Sequence, residues 1–192
     1  SPYLDSLHPM GYAFSYAPIN PKERLQDFDF LSGLGMVAVV SAMNDGSGAS
    51  LFQVVFAAQE SAPLTNAIVN FASPRLPKRV VLLGGVSLKR SNGTEVKDLA
   101  LVSLARTDDA TGSLAVIDVS RPAHPVVLAE VTLPPGQGNP QSIVRRDDGL
   151  LAVATSTGLL VVDPTRLLLT PLPGAQHPVQ SLQPIDRAAR LQ

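Results

Sequence analysis

The sequence predicts an all-β fold of the β-propeller type, built from four-stranded antiparallel blades. Two observations predict it. Apolar runs of strand length alternate with turns rich in Gly, Asn, Asp and Pro along the 192 residues. Second strands beginning near Met36, Val96 and Leu150 recur at intervals of roughly 50 to 60 residues, near the period of propeller blades. A lone four-stranded meander cannot bury both of its faces, so such units gain stability by stacking on neighbours around an axis. A β-sandwich, whose strands recur with turn signals at similar intervals, is the alternative.

The elements follow in chain order. Residues 1–26 are an N-terminal segment. Within it, 12–19 alternates loosely and reads as the outer strand of a preceding blade. Asn20-Pro21-Lys22-Glu23 then reads as a short helix start, with Asn20 as cap and Pro21 at the first helical position. Blade 1 covers 27–72, with strands at 27–31, 36–42, 51–57 and 66–71. Its turns at 32–35 and 44–48 carry glycine, and its last corner holds Pro63.

Blade 2 covers 79–134 and follows a Pro-rich connector at 73–78. Its first strand runs over 80–90 with an interruption at Gly84-Gly85. Asn92-Gly93 is a hairpin signal of the type I′ kind. The second strand occupies 96–105, the third 114–119 and the fourth 126–133. Between the last two, Pro122 and Pro125 form a corner that cannot continue a ladder, because proline has no N–H to donate. Blade 3 covers 140–173, with strands at 141–146, 150–155, 159–163 and 167–172. Residues 174–192 are a connector, with 179–185 as the inner strand of a further blade. Three blades are fewer than the 4 to 8 of a propeller. The expectation is therefore a piece of a longer chain, or a subunit that closes a ring by homo-oligomerisation.

Composition limits the functions open to such a chain. It is 45% hydrophobic and 16% charged, below the usual ~25% charged, so part of its surface is expected to be covered by a protein partner or by remaining blades. The formal net charge is −1, with Lys and Arg scattered, which leaves no electrostatic footprint for nucleic acid. No apolar run approaches ~18 residues, so no membrane insertion by a helix is expected. There is no cysteine, which removes disulfides, thiolate metal sites and thiol nucleophiles.

Motifs that carry chemistry are sparse. Asp118 and Asp163 recur at one position when the third strands of blades 2 and 3 are aligned. As functional groups they would sit at a propeller mouth. The favoured reading is structural: an aspartate at a strand end accepts backbone N–H bonds from the following corner. His8, His124 and His177 lack metal-ligand spacing. The acidic turns 44–50 and 107–113 do not match a calcium loop. Gly46-Ser47-Gly48 is not a nucleophile elbow, and Gly33-Leu34-Gly35 and Gly136-Gln137-Gly138 are not phosphate loops. Asn92-Gly93-Thr94 matches a glycosylation acceptor but reads as the turn. With no Trp, and Tyr3, Tyr12 and Tyr16 confined to the N-terminal segment, sugar stacking by the blades is disfavoured; those tyrosines suit a protein surface. The sequence thus assigns no catalytic, cofactor-binding or metal-ligating residue, and no cofactor.

Two segments resemble a known family. Ser113-Leu114-Ala115-Val116-Ile117-Asp118-Val119-Ser120, continuing to Pro125-Val126, and Gly158-Leu159-Leu160-Val161-Val162-Asp163-Pro164 are similar to the core of the LVIVD-repeat, YncE-like β-propeller proteins of bacteria. The likeness covers about 99–172; the first blade carries Val55 and Phe56 at the matching place and has no aspartate there. The resemblance implies blade architecture and an exported, periplasmic or cell-surface setting, and says little about activity. The expectation is a non-catalytic structural or protein-interaction segment of a larger surface protein. The alternatives are part of a propeller hydrolase or lyase whose site lies mostly on other blades, and a three-blade subunit that closes a ring.

Overall fold

A computed structural model of the chain describes residues 23–31, 36–44, 50–58, 67–90, 93–108, 111–167 and 183–184. They form three four-stranded antiparallel sheets. The first sheet contains β1 (Glu23–Leu31), β2 (Met36–Asn44), β3 (Ser50–Ala58) and β4 (Ala67–Phe71), in that order. The second contains β5 (Arg75–Arg90), β6 (Gly93–Arg106), β7 (Ser113–Asp118) and β8 (Val126–Thr132). The third contains β9 (Pro140–Arg145), β10 (Leu151–Thr155), β11 (Leu159–Val162) and β12 (Gln183–Pro184), and a helical turn α1 (Pro164–Leu167) follows β11. Each strand lies beside its predecessor in sequence, so every sheet is a meander.

The centre of the second sheet, β6 from Leu99 onward and β7, is buried on both faces, while β8 is largely exposed. Its β6 reads Leu99-Ala100-Leu101-Val102-Ser103-Leu104-Ala105, an almost unbroken apolar run, as expected of a strand covered on two sides. Side chains alternate across a strand, and the parity divides this run cleanly. Leu99, Leu101, Leu114 and Val116 pack with Ile143, Leu151, Val153, Leu160 and Val162 of the third sheet. Ala100, Val102, Leu104, Ala115 and Ile117 pack with Met36, Ala38, Val40 and Phe71 of the first sheet. The three sheets therefore enclose two interiors, one on each side of the second. The first strands lie side by side, β1 against β5 and β5 against β9.

Several expectations change in detail. β5 starts at Arg75, inside the segment read as a Pro-rich connector, and Pro77 sits within it. An edge strand accommodates Pro77, because the missing N–H removes no bond from a neighbouring ladder when it points outward. A register shift between Pro77 and Arg79 frees the Arg79 N–H, which donates to the buried Ser103 hydroxyl at 3.0 Å. A second shift, between Leu83 and Val86, marks the expected interruption at Gly84-Gly85. There β5 continues rather than ends, and the Gly85 N–H donates to Asp98 Oδ1 at 2.9 Å.

The third sheet differs most. Leu167, where its fourth strand is expected to begin, belongs to α1, residues 168–172 lie outside the described residues, and Gln183–Pro184 pairs with Leu160 and Val161 of β11. The stretch assigned to a further blade instead closes this one. The physical reason is local: Asp163 accepts from the Thr165 N–H at 2.9 Å and from its hydroxyl at 2.6 Å, and Pro164 takes the first helical position, where its missing N–H is harmless. The outer strand expected at 12–19 and residues 20–22 of the expected helix start lie outside the described residues, but Glu23 opens β1 instead of a helix, so the first sheet begins four residues before the expected boundary at 27, its ladder to β2 running from Glu23 opposite Met43.

The connector from β8 to β9 fastens the second sheet to the third. Asn139 donates to Arg106 O (3.1 Å) and accepts from Arg106 N (2.8 Å), so its amide extends β6 as a peptide group would. Asn139 and Ser156 exchange a second pair of bonds, from Asn139 N to Ser156 Oγ at 3.0 Å and from Ser156 N to Asn139 O at 2.9 Å. Two glycines permit this approach. A Cβ on Gly112 would lie 2.3 Å from Pro140 Cδ and 2.7 Å from Leu104 O, and Gly138 holds φ of 66° with Ser156 Oγ 2.1 Å from where its Cβ would be.

Leu101→Ala tests the double-sided core, because the side chain is fully buried between the second and third sheets. Urea denaturation is expected to show a loss of about 2–5 kcal/mol, the range for truncating a buried leucine; a loss below about 1 kcal/mol would contradict burial at that position.

Candidate functional site

The densest polar cluster lies where the first strands β1, β5 and β9 meet. Its origin is the alternation Asp27-Phe28-Asp29-Phe30 in β1, which puts both carboxylates on the face toward the second sheet. β5 is the edge of that sheet, so every second N–H along it points away from β6. The two carboxylates meet two of these donors. Val80 N donates to Asp27 Oδ2 at 3.0 Å, and Leu82 N to Asp29 Oδ2 at 2.7 Å. The i, i+2 spacing of the acids matches the i, i+2 spacing of the free amides.

Arginines from the other two strands complete the junction. Arg145 of β9 donates to Leu82 O at 3.1 Å and to Asp29 Oδ1 at 3.0 Å. Arg79 of β5 donates to Gln26 O at 3.2 Å and lies 3.6 Å from Asp27 Oδ1. Asp29 and Arg145 thus bridge all three sheets through one carboxylate and one guanidinium. Beside them opens a groove of about 380 Å³ whose walls include Leu82, Leu83, Val86, Leu151 and Pro164. Arg146, at its rim, is paired with Asp148 at 2.7 Å. The carboxylates and guanidinium groups here are committed to backbone and to one another, which makes the junction a clamp.

A second polar group sits on β6 and β7 of the second sheet. Lys97 of β6 contacts Asp118 of β7 at 2.5 Å and Glu95 at 2.9 Å. Burial pulls the Asp118 carboxyl upward, but hydrogen bonds from Lys97, from the Ser120 N–H and from the Ser120 side chain outweigh it and hold the group below its ordinary value. Bonds to Asp118 and then to Glu95 raise Lys97 above its own.

No protein-family model, curated protein or solved structure matches the chain. What its residues do is therefore read from their surroundings.

Asp118 and Asp163 occupy equivalent places. Ser120 N donates to Asp118 Oδ1 at 3.0 Å and Thr165 N to Asp163 Oδ1 at 2.9 Å, each two residues on, the turn that the strand-end reading describes. The two aspartates lie on different sheets and share no partner among these bonds. His124 is exposed in the corner before β8, where its N–H donates to Arg121 O at 2.8 Å; His8 and His177 lie outside the described residues. In the acidic turn 107–113, Arg106 holds both Asp108 oxygens, and the Ser113 hydroxyl donates to Glu130 at 2.7 Å. Asn44 and Ser50 face each other across β2 and β3, and the turn between them lies outside the described residues. So do Asn92, Gly33-Leu34-Gly35, Gly46-Ser47-Gly48 and the tyrosines. The Gly136–Gly138 turn accepts from the Thr157 hydroxyl through Gly136 O at 2.9 Å. Among the described residues no three His, Asp or Glu side chains gather as a metal site, and no helix is long and apolar enough to cross a membrane.

Sequence reasoning missed Asp27, Asp29, Arg79 and Arg145. The sequence pointed the other way: the alternation Asp27-Phe28-Asp29-Phe30 reads with the phenylalanines toward a core and the acids toward water, whereas in the structure Phe28 is 71% exposed and the acids face the second sheet.

Asp29→Ala removes an acceptor from Leu82 N and a partner from Arg145. It is expected to destabilise by about 1.5–3 kcal/mol, the range for hydrogen bonds to a charged group, and to speed hydrogen exchange at the Leu82 amide; unchanged exchange there would contradict the clamp.

The Asp118 pair adds a pH dependence. A carboxyl held below its unfolded value contributes stability that is complete above that value, about 3.9, and is lost as pH falls through the folded value. Unfolding free energy is expected to drop more steeply with acid in the parent than in Asp118→Asn, measured by urea titration at a series of pH values. Parallel profiles would contradict the pairing.

Proposed function

We propose that the chain is a segment of a β-propeller that serves as a non-catalytic structural or protein-interaction platform in a larger exported or cell-surface bacterial protein. The reading rests on one observation above all: β6 and β7, the central strands of the second meander, are buried on both faces by its sequence neighbours, and the three first strands adjoin. A sandwich shares one interior between two sheets; a fan of blades has an interior between each successive pair. The paired strand-end aspartates, each turning the chain at the close of a third strand, support the likeness to the LVIVD-repeat proteins. The platform part draws on the clamp, whose charges are spent on holding blades together, Arg145 among them although it also lines the groove.

Blades that radiate from an axis keep first strands close and splay fourth strands. The chain has no cysteine, so spin labels can be placed without background. Pulsed dipolar spectroscopy on Asn70→Cys/Thr132→Cys, on the fourth strands of the first two sheets, is expected to give a distance well beyond the ~10 Å spacing of parallel stacked sheets. A distance near that spacing overturns the propeller. Recovery of the native protein from the cytosolic fraction of its producing cells overturns the surface assignment.

A further inference from the structure

We propose that the groove beside the clamp binds a small monocarboxylate with an aliphatic tail, its carboxylate held by the Gly84 N–H and Arg146. The site stands on the geometry of β1, β5 and β9 and goes beyond the platform reading, which does not depend on it.

The edge of β5 carries a series of outward donors. Val80 N and Leu82 N turn away from β6 and donate to Asp27 and Asp29. Val81 and Leu83 alternate with them, and so turn their own N–H and C=O toward Leu101 and Leu99 of β6. A trans peptide sets its C=O and N–H on opposite sides. The N–H that follows the Leu83 carbonyl, that of Gly84, therefore turns away from β6 and continues the series 80, 82, 84. The acids of β1 stand at 27 and 29, and the residue that continues their spacing is Leu31. Leu31 does reach this rung: its Cδ2 lies 3.2 Å from where a Cβ on Gly84 would be. The third rung thus brings a methyl group where the first two bring carboxylates. Gly84 is exposed, and no acceptor among the described residues takes its N–H.

Gly84 lines the groove, and so do Arg145 and Arg146. Its volume of about 380 Å³ falls in the range of small-ligand sites, which pair apolar walls with a few convergent polar groups. A guanidinium carries five N–H donors. Arg145 places one on Leu82 O and one on Asp29, and Arg146 places one on Asp148, so both keep further donors. The Arg146–Asp148 pair is exposed on both sides, at 42% and 45%, where an ion pair holds weakly, and Arg146 turns to a second carboxylate at little cost. Asp29 already shows what a carboxylate takes at this edge: one oxygen accepts from Leu82 N and the other from Arg145. A ligand carboxylate accepting from Gly84 N and Arg146 repeats that arrangement one rung along both strands. Leu83, Val86, Leu151 and Pro164 of the groove walls then cover an aliphatic tail, which is why the ligand is a carboxylate with a tail and not a bare anion.

Titration of the full chain with hexanoate, followed by amide-resolved NMR, tests it. The Gly84 amide is expected to shift saturably with hexanoate, and not with hexanamide or hexylamine, which share the tail and lack the carboxylate. Arg146→Gln, at an exposed site, is expected to weaken hexanoate binding about tenfold, the change for losing a hydrogen bond to a charged group. Leu31→Asp places a carboxylate on the third rung within the chain itself. It is expected to move the Gly84 amide in the direction that hexanoate does and to abolish the response to hexanoate. Hydrogen exchange at the β6 amides serves as the folding control, and Arg146→Gln carries the test if Leu31→Asp does not fold. A Gly84 amide that ignores hexanoate in the folded parent, an equal response to hexanamide or hexylamine, or unchanged affinity in Arg146→Gln overturns the site and leaves the clamp and the stacking of the three sheets standing.

Discussion

The structure depends on the burial of the central strands of the second sheet, β6 and β7, from both sides. Hydrophobic stabilisation scales with apolar area removed from water, at roughly 25 cal/mol per Å², and a four-stranded sheet with one face in water forfeits half of what its side chains offer. Here β6 and β7 give alternate residues to two interiors, with leucines and valines toward the third sheet and alanines mixed among larger residues toward the first. Because a strand has a side-chain period of two, a slip of one residue in β6 or β7 would exchange the two faces entirely. The double burial therefore fixes register as well as energy, and it explains why the run from Leu99 to Ala105 tolerates only Ser103 as a polar member, and that one hydrogen-bonded.

Stacking sheets face to face creates a second requirement. The first strand of each sheet is an edge, and its outward amides and carbonyls are driven close to a neighbour where water is scarce. An unpaired buried backbone group loses free energy comparable to a lost hydrogen bond. Asp27, Asp29 and Arg145 supply acceptors and donors at these points, so side chains of one sheet finish the ladder of the next. Asn139 does the same for β6 at the connector, and Asp118 and Asp163 do it at the corners. Most of the placed polar side chains are thus bound to backbone, which is the chemistry of a scaffold. It also ties the proposed platform to the fold: the same edge satisfaction that holds sheets together suppresses strand addition by stray chains.

The outer faces follow a different rule. Phe28 on the first sheet and Val144 on the third are exposed apolar side chains pointing away from the second sheet.

The sequence by itself determined most strands of the described sheets to within a few residues, because period-two patterning acts over a handful of neighbours. It also located the strand-end role of Asp118 and Asp163, since an aspartate bonding an amide two residues on is a local event. Tertiary structure alone decided three things. Gln183–Pro184 closes the third sheet, because a two-residue strand has too little pattern to be seen and its partner β11 lies far back in the chain. Pro77 is admitted within β5, because only the sheet order makes that strand an edge. Asp27, Asp29, Arg79 and Arg145 converge, because their partners are 53 to 116 residues away and the electrostatics that unite them exist only once the sheets have stacked.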